Sequence, residues 1–141
     1  MRPAKWTEPD DAAIRSILRT TRTVAIVGVS PDPMRASNEV YRYLARRADY
    51  ELYLVNPTIS ELDGRTVYPS LADLPVVPDM VDVFRRREHL PSVTADAIGV
   101  GAKTLWLQLG LWDDEVARDG FAAGLQVVMD RCLKVEHAAL G

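Results

Sequence analysis

Four residues of chemical interest follow one another after an apolar run in TVAIVGVSPDPMRAS, residues 23–37: Gly28, Ser30, Arg35 and Ser37. Gly28 lets the backbone turn tightly and approach a ligand. Ser30 offers a hydroxyl, and Arg35 is suited to pair with phosphate. Ser37 reads as the N-cap of a helix whose first N–H groups attract anions. That set describes phosphate binding. It equally describes a turn glycine, a solvated arginine and an ordinary cap, and these residues alone leave both readings open. The dinucleotide fingerprint G-x-G-x-x-G is absent, because Ser30 and Pro33 stand where its second and third glycines belong.

Four further places carry polar chemistry next to apolar runs. Val55-Asn56-Pro57 closes ELYLV. An NAD-binding fold puts Asp or Glu there to hold the ribose, and here the position is Asn56. Asp49 and Glu51 lie at the other end of that strand, and Asn-Pro is also a common turn. Phe84 is followed by Arg85, Arg86 and Arg87, which cannot all face one way: some meet a ligand or all are solvated. Gln108 and Gly110 end WLQLG, where a glutamine in a covered strand needs partners from backbone or ligand. Cys132 is a nucleophile by type, but no neighbour in sequence activates it, and it reads as a buried, unreactive thiol. Two histidines and one cysteine cannot furnish an ordinary four-ligand zinc site. No Ser-His-Asp order and no G-x-x-x-x-G-K-[ST] is present.

The elements that must position these residues alternate. A first helix is expected over 8–20, with Ile14, Ile17 and Leu18 at helical spacing. Strands are expected at 23–29, 51–55, 79–84, 103–110 and 126–130, each an apolar run rich in branched residues. Between them lie a helix from Ser37 carrying Val40, Leu44 and Ala48, and one ending at Gly101 with Leu90, Val93, Ala97 and Ile98 inward. Asp113, Asp114 and Glu115 open another helix, Gly124 ends it, and a short C-terminal helix follows. TVYPSLADL reads as a short extended piece and a helical turn. Alternation of this kind predicts an α/β, Rossmann-like three-layer domain with a mainly parallel five-stranded sheet and a ligand at the carboxyl ends of its strands.

A chain of 141 residues suits one domain over 1–141, with 1–22 as an N-terminal helical segment. The net charge of −3 argues against nucleic acid as main partner, while a local basic cluster can still hold phosphates. No apolar run is long enough to span a bilayer, and the polar N-terminus has no signal-peptide core, so a cytoplasmic location is expected. The single Cys132 forms no internal disulfide, which fits a reducing compartment. Trp6, Trp106 and Trp112 belong to the core or to an interface, such as a homodimer or a partner protein would make.

Taken in order, the motifs resemble the small, stand-alone coenzyme A-binding proteins of bacteria and archaea. The residues that carry the resemblance are Gly28 to Pro31, Val55 to Pro57, Tyr68 to Leu71, Asp82 to Arg85, Trp106 to Gly110 and Asp130 to His137. The chain is also similar to the coenzyme A-binding domain of succinyl-CoA synthetase α subunits and of ADP-forming acyl-CoA synthetases. The resemblance implies that coenzyme A or an acyl-CoA binds through its phosphates and adenosine. Gly28, Val29, Ser30, Arg35 and Ser37 would form the first loop, and Val55, Asn56 and Pro57 the second, near the adenosine. Phe84, Arg85 and Arg86 would form the third, and Gln108 with Gly110 the fourth. It implies a binding or sensor module without its own catalytic centre, since His137 falls in the tail motif and not at the synthetases' catalytic histidine. Two other readings stand beside it: a thiol- or acyl-exchange enzyme using Cys132, and an NAD(H)-binding redox sensor, which the missing acid at Asn56 opposes.

Overall fold

Val24 to Val27 have almost no contact with solvent on either side of the sheet, because their strand lies at its centre. The computed structural model describes residues 5–141; the first four positions of the expected N-terminal segment lie outside the described residues. Helix α1 (Asp11–Thr20) starts at Asp10, whose carboxylate accepts the Ala13 N–H at 2.8 Å, and it buries Ile14, Ile17 and Leu18 as the spacing predicts. The chain then runs through β1 (Thr23–Val27), α2 (Ala36–Arg47) and β2 (Glu51–Val55). After β3 (Glu61–Leu62), β4 (Arg65–Tyr68) and a 3₁₀ turn at Leu71–Asp73 comes β5 (Met80–Val83). A second 3₁₀ turn at Arg87–His89 leads into α3 (Leu90–Val100), followed by β6 (Thr104–Leu107), α4 (Asp114–Ala122), β7 (Gln126–Val128) and α5 (Leu133–Leu140).

The sheet has seven strands, in the order β3-β4-β2-β1-β5-β6-β7, and not the five expected. The expected five are all present and parallel, as β1, β2, β5, β6 and β7. Of the two additions, β4 falls in the piece read as merely extended, and β3 just before it was not expected. β4 pairs parallel with β2 over Leu54↔Val67 and Val55↔Tyr68, and β3 folds back antiparallel on β4. Asp63 (φ 54°) and Gly64 (φ 76°) make the turn between them, the positive φ values that an Asp-Gly hairpin demands.

Alternation along each strand sends residues to two separate layers. Val24, Ile26, Met80, Trp106 and Val128 pack with Ile14, Val40, Leu44 and Leu133, so α1, α2 and α5 cover one face. Ala25, Val81, Val83, Leu105 and Leu107 pack with Leu90, Val93, Ala97 and Val116, so α3 and α4 cover the other. Gly101 (φ 84°) ends α3 in the left-handed conformation, and Asp113 caps α4 through the N–H groups of Glu115 and Val116.

Ser37 is not the cap of α2. The helix begins at Ala36, and Arg35 holds the cap position with no side-chain cap bond. The Ser37 hydroxyl turns back instead and accepts the N–H of Ser30 at 3.0 Å.

The chain leaves β1 towards β2 on one side and later returns to β5 on the other. The carboxyl ends of β1 and β5 therefore flank the point where the winding reverses, the usual position of a ligand crevice in such sheets. Among the described residues no helix is long and apolar enough to cross a membrane. No group of three or more His, Cys, Asp or Glu side chains among them is placed to hold a metal ion.

Candidate functional site

A cleft of about 750 Å³ opens at that reversal. Gly28 forms its floor beside β5. Its φ is 87°, and a Cβ there would collide with the carbonyl oxygen of Phe84. Only glycine lets the two strand ends lie this close. The Gly28 N–H continues the ladder by donating to Val55 O at 2.8 Å.

The chain from 28 to 35 is a closed set of short bonds. Ser30 N–H donates to Ser37 Oγ, and Asp32 N–H to Ser30 Oγ at 3.0 Å. Met34 N–H donates to Asp32 Oδ1 at 2.9 Å, and Arg35 N–H to Asp32 O at 3.1 Å. Asn38, buried under the loop, donates from Nδ2 to Ser30 O at 2.8 Å. These bonds bring Ser30, Arg35, Ala36 and Ser37 to one wall of the cleft. The N–H groups of Ala36 and Ser37, in the first turn of α2, have no acceptor among the described residues.

The opposite wall comes from the β5 end. Phe84, Arg85 and Arg86 line the cleft, while Arg87 stacks over the Trp112 ring at 4.1 Å from its centroid. The arginine triplet is thus divided, two towards the cleft and one on an exposed indole. Arg35, Arg85 and Arg86 give the cleft a positive field. Glu39 is its acidic wall residue, and Lys134 of α5 bonds that carboxylate at 2.8 Å and holds its pKa below the usual range.

The third side is built by the β6 and β7 ends. Gln108 is buried, and its Oε1 accepts the N–H of Leu133 at 3.1 Å, so backbone is one partner of this side chain. Trp106 Nε1 donates to Arg131 O at 2.8 Å, and Gly110 N–H to Asp130 Oδ1 at 2.7 Å. These three bonds tie the loop before α5 onto β6. They place Leu109, Leu111 and the half-buried Cys132 beside Gln108 on the cleft wall. The cysteine expected to be buried is therefore half-buried, at the cleft.

Of the residues singled out from sequence, the cleft gathers Gly28, Ser30, Arg35, Ser37, Phe84, Arg85, Arg86, Gln108 and Cys132. Val29, Val55, Asn56, Pro57 and Gly110 do not line it. Val29 and Val55 are core residues, and Gly110 supplies the tie to Asp130. Asn56 is committed to scaffold: Nδ2 donates to Val29 O at 2.8 Å, and Oδ1 accepts both the N–H and the hydroxyl of Thr58. Ala36, Glu39, Leu109 and Leu111 were missed. Glu39 lies in the first turn of α2, four residues after the Arg35 cap, so placing the start of the helix at Ala36 would have brought it to the same wall. His137 lies elsewhere, bonded at Nδ1 to the Tyr43 hydroxyl at 2.9 Å, with its pKa lowered by burial.

Asp82 sits in β5 in register with Ile26 and Trp106, fully buried, and neither carboxylate oxygen has a hydrogen-bond partner among the described residues. Burial alone drives its pKa well above the usual carboxylate range. It does not line the cleft.

A Rossmann-like α/β domain with a basic cleft at the reversal of its winding is the class that fold and site define. Residues 22–138 match the CoA binding domain family, and the chain belongs to that family. It is 38% identical over 130 residues to the uncharacterized protein YneT of Bacillus subtilis, covering 92% of this chain and 96% of YneT. A hypothetical protein from Pyrococcus horikoshii shares 36% identity and superposes with a TM-score of 0.88 over 99% of this chain and 96% of that one. A dinucleotide-forming acetyl-coenzyme A synthetase from Candidatus Korarchaeum cryptofilum, solved with phosphate and ADP, shares the fold at 23% identity. Its TM-score is 0.72, over 80% of this chain and 27% of the synthetase.

Proposed function

We propose that the protein binds coenzyme A or an acyl-CoA in this cleft, through the phosphates and adenosine, as a binding or sensor module. Membership of the CoA binding domain family supports the choice of ligand. The observation that carries the site is the convergence of Arg35, Arg85 and Arg86 with two unpaired N–H groups of α2 on one cleft. Anionic phosphates meet both charge and hydrogen-bond donors there. No acid ends β2 to clamp a ribose, and the Asn56 amide is occupied by Val29 and Thr58, which disfavours NAD(H).

The test is a melting curve with each ligand. Coenzyme A is expected to raise the melting temperature by mass action on the native state, and NAD(H) at equal concentration to do much less. An equal or larger shift with NAD(H) would reverse the assignment.

A second reading rests on Cys132, because this residue lines the same cleft. In that reading the Cys132 thiolate attacks one sulfur of coenzyme A disulfide. A protein–coenzyme disulfide forms, and one coenzyme A thiolate leaves.

A further inference from the structure

In the loop that faces the phosphates in the proposed site, the carbonyl oxygens of Val29, Ser30, Asp32 and Pro33 each accept a hydrogen bond. Val29 O accepts from Asn56 Nδ2 at 2.8 Å, and Ser30 O from Asn38 Nδ2 at 2.8 Å. Asp32 O accepts from Arg35 N–H at 3.1 Å, and Pro33 O from Arg42 Nη2 at 3.4 Å. Two of these donors are side-chain amides that reach in from opposite sides. Asn38 comes from α2, and Asn56 from the end of β2.

Each amide is locked the right way round. Arg42 Nε donates to Asn38 Oδ1 at 2.8 Å, so the NH₂ group of Asn38 must face Ser30 O. The N–H and hydroxyl of Thr58 donate to Asn56 Oδ1 at 2.8 and 2.7 Å, which turns its NH₂ group to Val29 O. The Arg42 Nε–H and the Thr58 backbone N–H cannot accept, so flipping either amide would set donor against donor. Neither Asn38 nor Asn56 lines the cleft.

An anion in the cleft is repelled by carbonyl oxygens and attracted by N–H groups. A loop free to rock would turn the Val29 and Ser30 carbonyl oxygens towards it. We infer that Asn38 and Asn56 are positioning residues that clamp the Val29 and Ser30 carbonyls out of the cleft, so that phosphate meets the open N–H groups of the first turn of α2 without those oxygens opposing it. The inference rests on the reading of the cleft as a coenzyme A site, and it assigns the loop's affinity to two residues that never touch the ligand.

The experiment titrates the full chain calorimetrically with coenzyme A, and follows the backbone amide resonances of Ala36 and Ser37 during the titration. Asn38→Ala and Asn56→Ala are each expected to weaken binding by about tenfold or more, the loss of a hydrogen bond that orders the site. The Ala36 and Ser37 shifts seen in the wild type should shrink in both variants, which loss of stability alone would not produce. Thr58→Val, a neutral change at an exposed residue outside the cleft, should weaken binding by a few-fold through the Asn56 lock. It keeps the test open where an asparagine variant fails to fold. Asn38→Asp separates clamp from charge: weakening by Asp but not by Ala would overturn the clamp. Tight binding by both alanine variants would overturn the clamp and leave the site standing. A wild type that does not bind coenzyme A would overturn the site and the clamp with it.

Discussion

The Ser37 hydroxyl accepts the Ser30 N–H at 3.0 Å, joining the first turn of α2 to the loop that precedes it. One hydroxyl thus couples the scaffold to the cleft wall. In Ser37→Ala a half-buried N–H loses its acceptor, which costs roughly 1–3 kcal/mol. Both the denaturant midpoint without ligand and the coenzyme A affinity are expected to fall, and Ser37→Thr should restore much of each. A loss of stability with affinity untouched would uncouple the two.

Arg35 gives the contrasting case. It lines the cleft and makes no side-chain bond at the helix cap. Arg35→Ala should weaken coenzyme A by roughly 1.5–3 kcal/mol, about ten- to a hundred-fold, if its guanidinium bonds phosphate. Stability without ligand should hardly change. Affinity should also fall with salt, because partly exposed charges are screened over about 10 Å at 0.1 M. Titration of Arg35→Ala at two ionic strengths checks both; an unchanged affinity would leave the phosphates to Arg85, Arg86 and the α2 N–H groups.

Asp82 predicts a pH dependence of stability. Its folded pKa is raised by burial, so the native state retains a proton that the unfolded chain releases. Stability contributed by the protonated group is therefore lost as pH rises from the ordinary carboxylate range towards the raised value. Asp82→Asn cannot ionise, and it should gain stability relative to wild type increasingly from about pH 4 upwards. Denaturant melts at pH 4 and pH 8 measure the difference; an advantage that does not grow with pH would show that burial does not hold Asp82 protonated.

Cys132 separates the two readings of the cleft. If the protein only binds, Cys132→Ser should keep coenzyme A affinity nearly unchanged, with a modest stability loss at a half-buried position. If exchange occurs, wild type mixed with coenzyme A disulfide should gain the mass of one coenzyme, removable by reductant and absent from Cys132→Ser. Intact-mass spectrometry decides it.

Much of this architecture is legible in the chain because parallel strands buried on both faces leave unbroken apolar runs, as Val24–Val27 and Leu105–Leu107 do. The β3–β4 hairpin escaped because its strands are too short for a period, although Asp63-Gly64 carried the turn signal. Within the site, the arginines and Gly28 announce themselves by type. Ser37 and Asn56 do not, because serine before a helix and asparagine before proline have common local uses, and their partners are seven and 27 residues away. The position of Cys132 depends on the Trp106–Arg131 and Gln108–Leu133 bonds, each across 25 residues, which no local pattern encodes.

The short hairpin has a consequence for how the molecule behaves in company. A parallel sheet ending at β2 would present a row of free backbone groups to any passing chain, a template for aggregation. Here β4 covers only the last part of β2, and the outermost strand, β3, is two residues long. The Tyr41 hydroxyl donates to Asp63 at 3.2 Å and tethers the turn to α2. At the other margin β7 has three residues. Neither border offers a length of ladder on which a foreign strand could grow, so the fold carries its own protection against edge-to-edge polymerisation.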